Sequence, residues 1–272
     1  MHRSIVETMA SRPVALVTGA ARRLGRVIAL ELARHGHDVA LHYRHSHEEA
    51  EATLAELRSL GAQAHGFAAD LSDETRCRSL VPAVVAQMGR LDAVVNNAAT
   101  FEHDDGHSFG HASMELHWRA NVAPAVLLAR ALHEHLVSTR ADATSVGCVV
   151  NLLDQKLWNP NPDYFSYTLS KAALQAATVM LAQSLAPHVR VCAVAPGLTL
   201  ASDLIDADRL AQLQARTPLG HGVAPEDVAK SVRFLIECGS VTASTLLVDA
   251  GSHLVRMTRD FAFVAAVEKA DR

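Results

Sequence analysis

Aromatic side chains are scarce in this sequence, and basic charge is not in excess. Aromatic residues make up 4% of the 272 residues, and 25 basic side chains stand against 29 acidic ones, for a formal charge of −4. Because a phosphate backbone is bound mainly through clustered lysine and arginine, this balance argues against nucleic-acid binding. No apolar run approaches the roughly 20 residues that span a bilayer. We therefore expect neither a nucleic-acid nor a membrane partner.

The chain also lacks paired cysteines and clustered metal ligands. Its four cysteines are far apart and form no CxxC, which is typical of reduced core side chains in a cytoplasmic protein. The 16 histidines include no HExxH pattern, so we expect solvated side chains and no metal site. Residues 1–12 have no apolar stretch of the kind found in a secretory signal, and we expect a loose N-terminal extension there.

Short β-branched runs alternate with segments of helical periodicity along the chain. This order is typical of a parallel sheet covered by helices on both faces. We therefore predict one doubly wound, Rossmann-like α/β domain at residues 13–255, followed by a C-terminal tail at residues 256–272. The seven predicted strands lie at residues 14–18, 39–43, 64–69, 93–97, 146–153, 189–195 and 245–248.

The longest helical patterns lie in the second half of the chain. They predict helices around residues 114–136, 164–185 and 225–238. The segments at residues 100–112 and 198–222 are the least regular, and each follows a strand. In doubly wound sheets the ligand crevice lies beyond the carboxyl ends of the strands. We therefore predict that these two segments form the walls of a substrate site.

A glycine-containing turn joins the first strand to the first helix. Its sequence is Thr18-Gly19-Ala20-Ala21-Arg22-Arg23-Leu24-Gly25. Glycines allow a close approach of the backbone to a pyrophosphate, and the free N–H groups of a helix N-terminus bind the anion. The turn therefore indicates a dinucleotide site, with a purely structural strand-to-helix connection as the alternative.

The second strand ends without an acidic residue. An NAD site places an acid there to accept hydrogen bonds from the ribose 2′-hydroxyl, whereas this strand ends His42-Tyr43-Arg44-His45-Ser46. Arg44 and Ser46, together with Arg22 or Arg23, could hold a 2′-phosphate by charge-assisted hydrogen bonds. The sequence therefore predicts NADPH as cofactor. The alternative is a basic loop that faces only solvent.

One tyrosine and one lysine are spaced for a shared helical face. Tyr167 and Lys171 are four residues apart, so both side chains lie on one side of the predicted helix. A free phenol, with a pKa near 10, is a poor acid–base catalyst at neutral pH, and a neighbouring cation favours the phenolate. The pair therefore indicates proton-transfer chemistry.

Five motifs in register resemble those of the short-chain dehydrogenase/reductase family. They are TGxxxxxG at Thr18, Asn96-Asn97-Ala98-Ala99, Asn121, the Tyr167–Lys171 pair and Pro196-Gly197. The resemblance covers residues 13–251 and implies an NADP-dependent oxidoreductase that assembles as a homotetramer. It also implies that Asn121 belongs to a water relay behind Lys171.

The resemblance and the chemistry of the loops together assign a set of cofactor-binding residues. Asp70 and Leu71 are implied to lie beside the adenine, and Lys171 on the nicotinamide ribose. The full set is Gly19, Arg22, Arg23, Leu24, Gly25, His42, Tyr43, Arg44, Ser46, Asp70, Leu71, Asn97, Ala98, Ala99, Lys171, Pro196, Gly197 and Thr199.

The sequence departs from the larger family at two chemically important positions. Asp154 stands 13 residues before Tyr167, where most members have a serine that donates to a carbonyl oxygen. A carboxylate there would repel the alkoxide formed in ketone reduction, but it could deliver a proton to a ring nitrogen. Arg23 replaces the usual middle glycine. Both changes, with His42-Tyr43, resemble the pteridine reductases. The alternative is that Asp154 only caps its loop.

Four residues are assigned to the substrate by this closer resemblance. Phe101 matches a phenylalanine that stacks on the pterin ring, and Tyr164 matches a tyrosine that lines the same pocket. Arg23 and Trp158 are assigned to the same site. A flat heterocycle gains from an aromatic face on one side. The alternatives are that Phe101 anchors a loop and that Tyr164 and Trp158 are ordinary surface or interface aromatics.

Three functions remain open from the sequence. The first is NADPH-dependent reduction of a pterin or related conjugated heterocycle, with Tyr167, Lys171 and Asp154 supplying the proton. The second is reduction of a ketone, sugar or 3-oxoacyl thioester, which requires Asp154 to be protonated or turned away. The third is a non-catalytic NADPH-binding module. The presence of Tyr167, Lys171 and Asn121 favours an enzyme.

Overall fold

A seven-stranded sheet forms the centre of the protein. The computed structural model describes residues 12–139 and 146–264. All neighbouring strands are parallel, in the order β3-β2-β1-β4-β5-β6-β7, which confirms the predicted fold class. The strands are β1 (Val14–Val17), β2 (Asp38–Tyr43), β3 (Ala64–Ala68), β4 (Ala93–Asn96), β5 (Gly147–Leu152), β6 (Val189–Pro196) and β7 (Thr245–Val248).

Helices cover both faces of the sheet. They are α1 (Arg23–Arg34), α2 (His47–Ser59), α3 (Glu74–Met88), α4 (His111–His117), α5 (Ala123–Thr139), α6 (Phe165–Ser184), α7 (Ala207–Gln214) and α8 (Pro225–Glu237). Strand side chains alternate between the faces. In β1, Ala15 and Val17 pack in the cluster formed with α1, α2 and α8. Val14 and Leu16 pack on the other side, with α3 and α5.

The single long helix predicted around residues 114–136 is wrong. The structure has α4 and α5, separated by a wide π-helical turn at Trp118–Val122. Pro124 follows this turn and has no N–H to donate to the preceding helical turn, which disfavours a continuous α-helix. Ala123 N–H instead donates five residues back, to Trp118 O. The turn carries Asn121, and such insertions occur frequently at functional sites.

The segment at residues 198–222 is more regular than predicted, because it contains α7. The Asp206 side chain caps this helix by accepting a hydrogen bond from Arg209 N–H at 2.8 Å. Leu213 is buried on its inner side. A helix of eight residues is too short for its apolar spacing to stand out in the sequence. Its formation depends on the Asp206 cap and on the burial of Leu213.

The environment of the cysteines agrees with the prediction, whereas that of several histidines does not. All four cysteines are free, and Cys77, Cys148 and Cys192 are buried. The expectation of solvated histidines is wrong for His37, His42 and His117, which are buried. The ring nitrogens of His42 and His117 hydrogen-bond to backbone groups, which offsets the loss of water.

The described residues contain neither a membrane-spanning helix nor a cluster of metal ligands. Between residues 12 and 264, apart from 140–145, no helix combines the length and apolarity needed to cross a membrane. The same residues contain no group of three or more histidine, cysteine, aspartate or glutamate side chains placed to hold a metal ion. The predicted N-terminal extension lies outside these ranges except for Arg12, as do residues 265–272 of the predicted tail.

The strand order determines where a ligand can bind. β1 lies between β2 and β4. From β1 the chain continues through β2 to β3 at one edge of the sheet, and from β4 it continues through β5 and β6 to β7 at the other edge. The connections that leave the carboxyl ends of β1 and β4 therefore diverge and leave a crevice between them. The glycine turn and the Asn96–Ala99 motif both follow these strand ends.

Candidate active site

A cleft of about 450 Å³ opens at the carboxyl ends of β1, β2 and β4. It collects most of the predicted cofactor residues from four separate stretches of the chain. Those that line it are Gly19, Arg22, Arg23, Leu24, Gly25, His42, Arg44, Ser46, Asp70, Leu71, Asn97, Ala98 and Ala99. His45, Ala69, Ser72, Thr100 and Ala120 also line it, and sequence reasoning missed these five.

The two glycines of the turn are required by close backbone packing. Gly19 has φ +64°, and a Cβ there would lie 3.1 Å from Ala98 Cα. A Cβ on Gly25 would lie 2.3 Å from Gly19 O. Asn97 Nδ2 donates to Thr18 O at 2.9 Å, which ties the turn to the end of β4. These contacts stabilise the observed conformation of the loop.

Positive charge surrounds the outer part of this cleft. Arg22, Arg23 and Arg44 are exposed, and Arg44 makes no side-chain hydrogen bond with any residue that the structure describes. One acidic residue, Asp70, also lines the cleft. Hydrogen bonds from the Ser72 hydroxyl and N–H lower the pKa of Asp70 and keep it charged. The basic groups nevertheless outnumber it, so the cleft favours an anionic ligand.

Arg23 adopts a backbone conformation that glycine usually takes. Its φ is +53°, in the left-handed region that costs a side-chain-bearing residue roughly 1–2 kcal/mol. The sequence comparison placed Arg23 where the larger family has its middle glycine, and the observed conformation explains why glycine suits that position. The arginine keeps this turn and adds a cation at the mouth of the cleft.

Some predicted cofactor residues lie away from this cleft. The Tyr43 ring packs beside the core, and its hydroxyl interacts with His47 Nδ1 at 3.0 Å. Alternation along β2 explains this, because Tyr43 points to the face opposite His42. Pro196 ends β6, followed by Gly197 and Thr199 at the same edge of the sheet. The cofactor role of these four residues stays a prediction, as does that of Lys171, which also does not line the cleft.

The predicted catalytic residues meet at the start of α6. The Tyr167 hydroxyl donates to Asp154 Oδ2 at 3.0 Å. Asp154 Oδ1 accepts from Lys156 N–H at 2.8 Å and so caps the short 3₁₀ turn Gln155–Trp158. The two interpretations of Asp154 are therefore compatible, because one oxygen caps the loop and the other contacts Tyr167.

Burial controls the protonation of this cluster. Burial raises the pKa of Asp154, and the hydrogen bonds it accepts offset part of that rise. Burial, followed by the charge of Asp154, raises the pKa of Tyr167 well above its usual value. Burial lowers the pKa of Lys171 to about 8. Asp154 is therefore poised to gain a proton and Tyr167 to keep one.

The expectation that Lys171 favours the Tyr167 phenolate is wrong for this arrangement. Lys171 Nζ donates to Leu152 O at 2.6 Å and lies 5.6 Å from the centre of the Tyr167 ring. Asp154, by contrast, contacts the phenol directly. A carboxylate at hydrogen-bond distance and burial together outweigh the more distant cation.

Asn121 connects the loop after β4 to the helix that carries Tyr167. Its Oδ1 accepts from Thr100 N–H at 2.7 Å, and its Nδ2 donates to Thr100 O and to Ser170 Oγ, each at 3.0 Å. Ser170 Oγ in turn donates to Tyr167 O. The structure thus gives Asn121 a positioning role. Its predicted place in a water relay stays a prediction.

The first turn of α6 is capped by a residue distant in sequence. Tyr164 precedes the helix in a left-handed conformation, and its side chain makes no capping bond. The Asp104 carboxylate accepts from Ser166 N–H at 2.9 Å and from the Ser166 and Ser113 hydroxyls. Burial raises the pKa of Asp104, but these bonds outweigh it and keep the group ionised. The negative charge also suits the helix N-terminus.

An aromatic cluster lies beside Tyr167. Phe101 stacks on Tyr164 with ring centres 4.0 Å apart and packs edge-on against Tyr167 at 4.6 Å. This spacing leaves no room for a flat ligand between Phe101 and Tyr164. Phe101 is 51% exposed, so its outer side is the surface available for stacking. Trp158 packs instead against the small apolar cluster around Leu153 and Leu174.

Residues beyond position 255 also reach this cluster, although the sequence suggested only a tail. Arg259 forms a two-pronged ion pair with Asp163, and Asp260 accepts from Lys156 Nζ at 3.0 Å. Phe263 stacks near Tyr164, with ring centres 6.0 Å apart. No motif marks these contacts, because they join positions about a hundred residues apart.

Arg259→Ala is expected to make the protein more sensitive to acid. The pKa of Asp163 is lowered from 3.8 to about 2, with the Arg259 hydrogen bonds as the largest cause and the Asp260 N–H and the Arg259 charge as further causes. This contribution to folding is complete above pH 3.8 and is lost as the pH falls toward about 2. Circular dichroism during acid titration should show the variant unfolding at a higher pH than wild type. Arg256→Ala, at a nearby exposed arginine, is the control and should behave as wild type.

Comparison with known proteins agrees with this geometry. The family profile described as enoyl-(acyl carrier protein) reductase matches residues 19–253. The crystal structure of FolM alternative dihydrofolate reductase 1 from Brucella suis in complex with NADP superposes with a TM-score of 0.85 at 36% identity, covering 92% of this chain and 98% of that one.

Two similar curated proteins are named for the reduction of different substrates. Pteridine reductase 1 of Leishmania tarentolae is 32% identical over 287 residues, covering 92% of this chain and 99% of that protein. The 3-oxoacyl-acyl-carrier-protein reductase FabG of Staphylococcus aureus is 30% identical over 246 residues, covering 88% and 98%. With these matches and the observed fold, the chain belongs to the short-chain dehydrogenase/reductase family of oxidoreductases.

Proposed function

We propose that this enzyme uses NADPH to reduce a carbon–nitrogen double bond in a pterin or a related conjugated heterocycle. The observation that carries the proposal is the hydrogen bond from the Tyr167 hydroxyl to Asp154 Oδ2 at 3.0 Å. It places a carboxyl group with a raised pKa where most family members have a neutral hydroxyl donor. Such a pair suits protonation of a nitrogen atom.

The cleft at the carboxyl end of β1 fits a phosphorylated dinucleotide. A Cβ at Gly25 would collide with the turn itself, so the backbone at the start of α1 stays open to a pyrophosphate. Arg22, Arg44 and Ser46 line the same cleft and would hold the 2′-phosphate. When bound, NADPH supplies a hydride to a carbon atom of the substrate.

The residues at the start of α6 would supply the proton. As the hydride adds to carbon, the electron pair of the double bond moves to nitrogen, which then takes one proton. Asp154 and Tyr167 share a hydrogen bond, so either can present a proton at this point and the other can replenish it. Lys171 Nζ, held by Leu152 O, keeps a positive charge behind the pair.

The substrate ring would rest on the outer face of Phe101. That face is exposed, while the inner face is already in contact with Tyr164. A fused heterocycle of the pterin type is flat and polar at its edges, which suits stacking with a carboxyl group nearby. The similarity to a dihydrofolate reductase and a pteridine reductase supports this class of substrate.

Reduction of a ketone or 3-oxoacyl thioester is the second candidate. The 30% identity to FabG favours it. An ionised Asp154 opposes it, because the carboxylate would repel the developing alkoxide at the position where a hydroxyl normally donates. The non-catalytic alternative is disfavoured, since a binding module has no use for a buried Tyr167–Asp154 pair with Lys171 behind it.

A substrate panel tests the proposed function directly. Purified enzyme is mixed with NADPH and with oxidised pterins, dihydropterins, dihydrofolate, quinones or simple ketones, and NADPH oxidation is followed by absorbance. We expect turnover with at least one pterin or folate. Turnover of ketones, with none of any pterin or folate tested, would establish the second candidate instead.

Arg44→Asp is expected to shift the cofactor preference from NADPH toward NADH. Wild type should bind NADPH at least about tenfold more tightly than NADH, equivalent to ~1.4 kcal/mol. The new carboxylate would repel a 2′-phosphate and accept a hydrogen bond from a 2′-hydroxyl. Fluorescence titration with both cofactors measures the change. Arg216→Asp makes the same charge change on an exposed residue outside the cleft and should leave the preference unaltered.

We also propose that the enzyme is a homotetramer, with contacts through α5 and α6. Leu169, Val179 and Met180 of α6 and Trp118 before α5 are exposed apolar side chains, and exposed apolar side chains on these helices suit a subunit interface. Light scattering of the purified protein measures the subunit number. A monomer at micromolar concentration would contradict this proposal.

A further inference from the structure

His42 bridges two backbone segments at the floor of the cofactor cleft. Its Nδ1 accepts a hydrogen bond from Gly19 N–H at 3.1 Å, and its Nε2 lies 3.0 Å from Ala69 O, to which it donates. The side chain is 2% exposed. One ring nitrogen must accept and the other must donate, so only one neutral tautomer satisfies both contacts.

The Gly19 contact matters because this residue defines the shape of the turn. Gly19 O lies against Gly25 at the start of α1, and Asn97 Nδ2 donates to the same oxygen at 3.3 Å. Asn97 therefore holds Gly19 from its carbonyl side, and His42 holds it from its N–H side. A change at either contact would move the backbone that faces the pyrophosphate.

Protonation of His42 would break this arrangement. A protonated imidazole carries N–H groups on both nitrogens, so Nδ1–H would face Gly19 N–H with no acceptor between them. Burial lowers the pKa of His42, while its bond to Ala69 O and the charge of Asp70 oppose that shift. The neutral form therefore dominates near pH 7 and is lost only on acidification. The other charged or titratable groups that line the cleft are Arg22, Arg23, Arg44 and His45.

We propose that His42 is a positioning residue for the cofactor: in its neutral form it holds Gly19 in the binding conformation, and its protonation weakens dinucleotide binding. The carboxyl end of β2 thus contributes to the pyrophosphate site through a side chain that contacts the glycine turn. The proposal concerns the cofactor alone and does not depend on which substrate the enzyme reduces.

Binding of NADH as a function of pH tests this role. NADH is the probe because a 2′-phosphate group itself titrates near pH 6. The dissociation constant is measured by calorimetry from pH 7.5 to 5.5, with circular dichroism at each pH to show that the protein is folded. For wild type we expect the dissociation constant to rise as the pH falls through the His42 pKa, which burial lowers below its usual value, with uptake of one proton linked to dinucleotide release.

Two substitutions of His42 distinguish the effect of its hydrogen bond to Gly19 N–H from the effect of its protonation. His42→Asn places an amide oxygen near the position of Nδ1, where it can accept from Gly19 N–H but cannot be protonated. It should bind NADH within a few fold of wild type at pH 7.5 and lose the pH dependence. His42→Leu removes the acceptor and should weaken binding about tenfold at every pH, the effect of one buried hydrogen bond. His35→Asn, at the far end of α1, is the control and should keep the wild-type profile.

A measurement on wild type alone covers the case in which a variant does not fold. Because linkage is reciprocal, NADH must favour the neutral imidazole if the neutral imidazole favours NADH. The pKa of His42, followed by nitrogen NMR, should therefore be lower in the NADH complex than in the free enzyme. Equal pKa values in the two states, or a wild-type pH profile in folded His42→Asn, would overturn the proposal.

Discussion

Tyr167→Phe is expected to lower turnover by about 10² to 10⁴ while leaving the affinity for NADPH within a few fold of wild type. The lost hydroxyl is the one that bonds Asp154 Oδ2, and its pKa is raised well above 10, so in the proposed reaction it would act as a proton donor and relay. It is not a residue of the cofactor cleft. The substitution therefore removes a chemical step and spares binding.

Steady-state NADPH oxidation and fluorescence titration of NADPH measure these two effects separately. Ser79→Ala also removes a hydroxyl, one that bonds only Arg76 O on the exposed side of α3, and should turn over as wild type does. Lys171→Ala should lose both turnover and cofactor affinity, if the ammonium binds the nicotinamide ribose as predicted and supplies the positive charge behind the Tyr167–Asp154 pair. An active Tyr167→Phe enzyme would show that another acid carries the step.

Asp154→Ser is expected to have opposite effects on two substrate classes. For a pterin, loss of the carboxyl group removes a proton source, and turnover should fall by about 10² or more. For a ketone, the serine hydroxyl can donate to the carbonyl oxygen and the repelling charge is gone, so activity should hold or rise. Asp73→Ser, at the N-cap of α3, a position that serine can also fill, should leave both activities unchanged.

The pH profile gives this substitution a second readout. Asp154 donates only when protonated, so its contribution is lost as the pH rises through its pKa, which burial places above the usual 3.8. Pterin turnover by wild type should therefore decline from acid toward neutral pH, and Asp154→Ser should lack that limb. A similar loss on every substrate, with an unchanged profile, would indicate that the bond to Lys156 N–H is the only role of Asp154.

The strands and the main functional residues were predictable because their signals are local. A buried parallel strand requires a short apolar run, and a helix requires apolar residues three and four apart. These patterns located all seven strands and placed Tyr167 and Lys171 on one helix. The glycines of the turn were recognisable for a related reason, since only glycine fits the contacts of Gly19 and Gly25.

The break between α4 and α5 was harder to predict, although its cause is local. Apolar periodicity continues across Trp118–Val122, and the missing donor at Pro124 affects only one hydrogen bond. Whether a chain bends, ends or widens into a π turn at such a point depends on neighbouring packing. Here the hydrogen bonds from Asn121 to Thr100 and Ser170 stabilise the widened turn.

By itself, then, the sequence determined the order of the elements, the parallel sheet and the types of residue at the cofactor turn and at the start of α6. Only the tertiary structure decided how those residues are held and protonated: Asp104 caps α6, His42 supports Gly19, and Phe263 packs near Tyr164. The physical reason is distance along the chain. Local periodicity records hydrogen bonds and burial within one element, whereas burial and contacts between remote segments set pKa values and orientations, and no local pattern encodes them.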